Sequence, residues 1–182
     1  MAKTSLILIV TFFLAQTLNS TEIYGVPKII DGDTVHINNK KIRLEGIDAP
    51  EIKQQCKKPF LKISAIIGFE FNKNYPCGVI AKKKLIDKID NSKIKCISSS
   101  KDRYKRFLAT CFKDKINLNK WMVRNGNAVA YKRYSKDYVR DEAYAKENKL
   151  GVWEGSFVMP EKWRKLNYCL LYTSDAATNR EV

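Results

Sequence analysis

Histidine is almost missing from this chain, with only His36 among 182 residues. The five cysteines form no Cys-x-x-Cys pair. Together these shortages argue against a zinc centre, which draws on clustered cysteine and histidine. Glycine (8) and proline (5) are too few for a collagen-like or low-complexity chain. Acids are scarce as well: 19 Asp and Glu stand against 34 Lys and Arg, a formal net charge of +15. A membrane span needs roughly 20 apolar residues, and the run Ser5 to Ala15 stops at 11. What remains, 45% hydrophobic and 11% aromatic in 21.0 kDa, supports one packed domain and is short for two. The basic excess points to a polyanionic partner: nucleic acid, an anionic surface or an acidic polymer.

The first twenty residues follow the order of an export signal. Lys3 is the only charge before Glu22, the apolar run comes next, and a polar stretch ends at Ser20. After Leu166 the basic character stops, and LLYTSDAA reads as cloning-derived rather than domain sequence. The expected organisation is therefore a signal over 1–20, one domain over 22–167 and a non-native or disordered tail over 168–182. All but two of the bases and all but two of the acids lie in 22–167, so the net charge belongs to the domain.

Cys56, Cys77, Cys96 and Cys111 make an even set in an apparently exported chain, which favours disulfides. Three connectivities are open. If Ser98 to Arg106 is a hairpin turn, Cys96 and Cys111 face each other across it, and Cys56 and Cys77 could close the long connection that they bracket.

Strand-like pieces run over Glu22–Ile30, bent at Pro27, then Thr34–Ile37, Lys41–Ile47, Ile94–Ile97, Phe107–Phe112 and Ala128–Tyr131. Asn38-Asn39 suits a tight hairpin turn. Helical spacing covers Val79–Ile89, Leu118–Asn125 with Asn117 as N-cap, and Tyr138–Leu150, whose Asp141, Glu142 and Glu147 suggest a solvated face with helix-spaced ion pairs. Asp48 to Gly78 reads as a long irregular segment, its apolar centre Phe60–Phe71 a candidate short helix. This pattern predicts an α+β domain around a small antiparallel barrel.

Chemistry concentrates in two segments, Ile30-Asp31-Gly32-Asp33-Thr34 and the stretch from Ile42 to Glu51. Pairing through Asn38-Asn39 brings Asp33 to the Ile47-Asp48 end of the neighbouring strand. Two carboxylates there repel unless a cation lies between them, and oxygen ligands favour a hard ion such as Ca²⁺ or Mg²⁺. Glu51 can point into the same cleft. Arg43, with the turn from Lys101 to Arg106, adds phosphate-matching guanidinium groups. A metal, a carboxylate base and two arginines are the parts needed to hydrolyse a phosphodiester.

IDGDT at 30–34, IRLEGIDAPE at 42–51, DRYKR at 102–106 and WMVRNGNAVAY at 121–131 together resemble the staphylococcal nuclease (thermonuclease) family, over about Val26 to Trp163. The resemblance implies a five-stranded antiparallel OB barrel with three helices. It implies Ca²⁺ held by the carboxylates of Asp33 and Asp48 and the main-chain oxygen of Ala49, with Asp31 behind them. Glu51 would orient or deprotonate the attacking water, and Arg43 and Arg106 would bind the scissile phosphate. Tyr104 and Tyr131 would line the nucleotide pocket, and Arg103 would meet a 5′-phosphate. The implied protein is a monomeric, secreted or periplasmic, Ca²⁺-dependent nuclease. It would cut DNA and RNA with little sequence preference, leave 3′-phosphate ends, and have no membrane association after signal removal. The alternative is a catalytically silent OB module that binds single-stranded nucleic acid. Three departures stand out. The segment after Glu51 is longer and holds Cys56 and Cys77, Lys105 replaces the glycine usual before the second arginine, and Tyr134 is offset behind Lys132-Arg133.

Overall fold

The computed structural model describes residues 20–63 and 69–167. The export-signal reading, apart from Ser20, and the tail 168–182 fall outside the described residues. The order is β1 (Thr21–Gly25), β2 (Lys28–Ile29), β3 (Thr34–Ile37), β4 (Lys40–Leu44), β5 (Ile47–Asp48), β6 (Cys56–Ile63), β7 (Phe69–Tyr75), α1 (Cys77–Ile89), β8 (Ile94–Lys101), β9 (Phe107–Lys113), β10 (Ile116–Asn117), α2 (Leu118–Arg124), β11 (Val129–Ala130), α3 (Val139–Glu147) and a 3₁₀ turn at Gly151–Glu154. A fourth α-helical stretch, α4, covers 160–167.

The expectation of a mixed α+β fold holds, with corrections of detail. The main sheet has seven strands rather than five, in the order β1-β8-β9-β4-β3-β2 with β10 on β9. It is not wholly antiparallel, because β4 runs parallel to β9. Among the described residues four α-helical stretches stand where three are expected. The segment 48–78 is not irregular, and no helix is described in its centre: β6 and β7 pair there as an antiparallel hairpin, separate from the main sheet.

Local chemistry explains the parts that frame the site. Asn38 and Asn39 both take positive φ (48° and 63°), which asparagine tolerates, and so join β3 to β4 in register Thr34↔Arg43. Asn117 caps α2 by accepting from the Lys120 amide at 2.9 Å. Ile37, Ile42, Leu44, Ile47, Leu85, Ile94, Leu118 and Met122 are fully buried between sheet and helices. Each such side chain contributes roughly 1.5–3 kcal/mol. Cys96 and Cys111 are direct cross-strand partners joined as a disulfide, and Cys56–Cys77 closes the base of the β6–β7 hairpin.

Glu142 locks α3 to the strand that carries the site. Its buried carboxylate accepts from the Ala130 amide (3.3 Å) and pairs with Lys146 (2.9 Å) and Lys132 (2.6 Å). Burial alone would raise its pKa, but the two lysines outweigh burial and hold it below the ordinary 4.5. A depressed native pKa contributes stability that is complete above the unfolded value and lost as pH falls through the native one. Glu142→Gln is therefore expected to destabilise the protein by about 2 kcal/mol at neutral pH. The deficit should shrink below pH 4.5, as read from urea midpoints across pH.

Candidate active site

The site grows from the turn at the end of β4. Gly46 (φ +76°) reverses the chain between β4 and β5, and a Cβ there would strike the Tyr138 ring. Buried Asn119 holds this turn in place. Its amide donates to the carbonyls of Glu45 (2.9 Å) and Ala109 (3.0 Å), and its oxygen accepts from the Cys111 amide (3.0 Å). Gly78, at the start of α1, lies against the Glu51 carbonyl so closely that a side chain would displace it.

These constraints gather Asp33, Arg43, Asp48, Ala49 and Glu51 as the sequence predicts. Arg43 donates from Nη1 to Asp33 Oδ1 (2.8 Å) and from Nη2 to Asp48 Oδ1 (3.0 Å) and the Ile47 carbonyl (3.4 Å). Asp33 Oδ2 accepts from the Ala49 amide at 3.0 Å, and Thr34 Oγ1 donates to Asp33 Oδ1 at 3.0 Å. Asp31 stands behind, its Oδ1 accepting from the Asp33 amide at 2.9 Å.

Sequence reasoning missed Arg164. From α4 it donates to both oxygens of Asp48 (2.9 and 3.0 Å) and to Glu51 Oε1 (2.8 Å). The residue lies 116 positions beyond Asp48. Pro160, a favoured first helical residue, marks the helix in the sequence, but nothing there says where its arginine reaches.

Charge and burial compete throughout. Burial, then the neighbouring Asp33, pushes Asp31 up to about 6. Burial also raises Asp48, against the pull of Arg164 and Arg43. It opposes the charge on both arginines too, yet their carboxylate partners prevail and hold both above the ordinary arginine value.

Arg103, Tyr104 and Arg106 form a second group on the β8–β9 turn. Asp102 organises it, accepting from the Tyr104 and Arg106 amides (2.9 and 3.0 Å) and from Arg106 Nε (2.8 Å). The guanidinium groups of Arg103 and Arg106 lie 4.8 and 5.5 Å from the Tyr104 ring centre, and Tyr104 is 62% exposed rather than packed against the sheet. Among the described residues no hydrogen bond or ion pair joins this group to the carboxylates. β9 nevertheless runs beside β4, and Arg106 stands two residues before Leu108, the partner of Arg43. Lys105 takes φ +62°, a left-handed conformation that favours glycine. Left-handed backbone costs an L-residue roughly 1–2 kcal/mol. Lys105→Gly should therefore stabilise the protein by about 0.5–1 kcal/mol after the unfolded-state entropy of glycine is subtracted, seen as a higher urea midpoint.

Tyr131 lines a cleft of about 450 Å³ with Asp48, Lys132, Arg133, Lys162 and Lys165. Tyr134, offset in sequence, meets Tyr131 edge-on at 4.7 Å between ring centres.

Among the described residues no three Asp, Glu, His or Cys side chains converge as a self-sufficient metal site. The carboxylates that do converge, Asp33 and Asp48, bridged by Arg43, are hard oxygen donors, and Ala49 meets Asp33 through its amide N–H. That chemistry fits a Ca²⁺-class ion and excludes a soft one.

Such an assembly, an α+β domain with interlocked carboxylates and arginines at the end of one strand pair, defines a class. The profile described as "Staphylococcal nuclease homologue" matches residues 41–155. The chain is 33% identical over 170 residues to an uncharacterised endonuclease of Haemophilus influenzae, covering 89% of this chain and 83% of that protein. It is 33% identical over 134 residues to the succinoglycan biosynthesis protein ExoI of Rhizobium meliloti, covering 72% of this chain and 64% of the relative's length. It is 27% identical over 158 residues to a micrococcal nuclease of Shigella flexneri, covering 77% and 79%. The chain belongs to the staphylococcal nuclease family.

Proposed function

We propose that the protein is an exported, Ca²⁺-dependent phosphodiesterase that cleaves DNA and RNA with little sequence preference, leaving 3′-phosphate ends. The observation that carries this reading is the interlocked cluster of Asp33, Arg43, Asp48, Glu51 and Arg164 at the edge of a basic, tyrosine-bearing cleft. The main sheet serves as an OB-type barrel that presents this cluster. Asp33 and Asp48, with the Ala49 carbonyl, would hold the ion, which supplies positive charge next to the scissile phosphate. Half-exposed Glu51 orients the attacking water and takes its proton. Arg43 and Arg106 bind the phosphate and stabilise the charge that develops on it. Tyr104 and Tyr131 stack on bases, and Arg103 meets a terminal phosphate. Export is supported by the two disulfides, because reducing compartments rarely keep them. Among the described residues no helix is long and apolar enough to cross a membrane.

The test is incubation of the oxidised protein with end-labelled single-stranded DNA. Fragments with 3′-phosphate ends are expected with Ca²⁺, none after chelation, and none on replacement with Mg²⁺. DNA that is bound but stays intact with Ca²⁺ would instead assign a silent binding module.

A further inference from the structure

We infer that the β6–β7 hairpin is a binding arm for single-stranded nucleic acid, extending the site beyond its catalytic cleft. The inference rests on the nuclease reading above.

The base of the arm is built into the domain. The Cys56–Cys77 disulfide closes its base. Lys57 and Ser156 exchange two main-chain hydrogen bonds of 2.9 and 3.0 Å. Cys56, Cys77 and Val152 form a small buried cluster of their own, with Tyr75, Trp153 and Phe157 packed around it. The base also adjoins the cleft. Cys56 follows Glu51 by five positions, a reach of at most about 17 Å, and Gly78 beyond the arm packs on the Glu51 carbonyl.

One face of the arm alternates cations and rings. Lys58 pairs with Lys73 across the hairpin. Lys73 lies 5.8 Å from the Phe60 ring centre and Lys58 lies 5.6 Å from that of Tyr75, so these four share a face. The two-residue strand period adds Phe71 to it. Phe60 and Phe71 are 70% and 55% exposed, a cost in water that no packing among the described residues offsets. Aromatic rings interleaved with lysines form the platform on which single strands bind: bases stack on rings while the cations follow the backbone. Successive side chains on one face of a strand stand about 7 Å apart, roughly twice the 3.4 Å base rise along a duplex strand. Phe71 and Tyr75, with Lys73 between them, stand two such steps apart, so bases resting on both rings must be splayed, which a single strand permits and a duplex does not.

The experiment measures binding of a labelled sixteen-nucleotide oligothymidylate by fluorescence anisotropy, in chelator so that nothing is cut. The full chain is compared with a Phe60→Ser/Phe71→Ser pair and a Lys58→Gln/Lys73→Gln pair. The aromatic pair should weaken binding roughly tenfold per ring. The lysine pair should flatten the dependence of log affinity on log salt by about 1.4. Cleavage of a nitrophenyl ester of thymidine phosphate, too short to reach the arm, should stay at the wild-type rate in both pairs. Phe60, Phe71 and Lys73 are exposed and Lys58 is half-buried, and an unchanged thermal transition verifies the fold. Unchanged oligonucleotide affinity and salt slope would overturn the arm. So would a loss confined to self-association in sedimentation, which marks a contact between copies, or one confined to anionic vesicles. A wild-type protein inert towards both oligonucleotide and ester would overturn the nuclease reading itself, whereas intact wild-type activity with silent variants overturns the arm alone.

Discussion

Arg43→Lys is expected to leave the protein folded and to lower turnover of a phosphodiester at least a hundredfold. The guanidinium is mostly buried, 14% exposed, and its two terminal nitrogens serve different carboxylates, Nη1 on Asp33 and Nη2 on Asp48. A lysine keeps the charge that these two carboxylates need, but it is a point donor without the planar fork. Alanine would be the poorer test. It would strand two buried acids without compensation, at about 3–5 kcal/mol, and confuse lost chemistry with lost structure. Removing one preorganised donor from a developing oxyanion costs roughly 10²–10³ in kcat. The check is kcat and KM on a single-stranded oligonucleotide at saturating Ca²⁺, beside a urea melt. Wild-type kcat in the lysine variant would remove Arg43 from phosphate binding and leave it as a brace between Asp33 and Asp48.

The readable part of this protein is the part whose chemistry is local. The β3–β4 hairpin could be placed because asparagine at 38 and 39 accepts positive φ, and its register then carries Asp33 towards Asp48. Asn117 and Gly126 bounded α2 for equally local reasons, an N-cap side chain and a residue at φ +66°. The segment 48–78, with Phe60–Phe71 as a candidate short helix, reads as irregular when its apolar content is taken as a block. Phe69, Phe71 and Tyr75 recur at even spacing, with polar or charged residues between them, which is strand periodicity. Lys105 is a visible departure whose outcome is not: the turn holds a lysine at positive φ and tolerates the strain. Arg164 is the opposite case to the hairpin. Its partners lie 113 and 116 residues away, and no spacing rule reaches that far. Tertiary contacts made by a single long side chain leave no periodic trace.

Arg164 gives the second large effect. Removing it should strengthen calcium binding and weaken catalysis. Its guanidinium occupies both oxygens of Asp48 and one of Glu51. In the proposed reading Asp48 is a calcium ligand and Glu51 handles the water, so the arginine competes with the ion at one residue while aiming the other. A full positive charge held on the same carboxylate would repel a cation bound there. Rearrangement of so long a side chain relieves much of that repulsion, leaving roughly a tenfold gain in calcium affinity for Arg164→Ala. Glu51, freed from its only ion-pair partner among the described residues, then samples several rotamers. A misplacement of about 1 Å can cost a hundredfold in rate, so kcat at saturating calcium should fall about 10- to 100-fold while KM changes little. Arg164→Lys should restore part of the rate and part of the competition. Calcium affinity is read by calorimetry without substrate, separately from turnover. Weaker calcium binding together with slower turnover would make Arg164 a scaffold for Asp48. An unchanged rate with tighter calcium would show that the arginine only guards the ion's place and that Glu51 is aimed by the backbone, through Gly78 and the turn that follows β5.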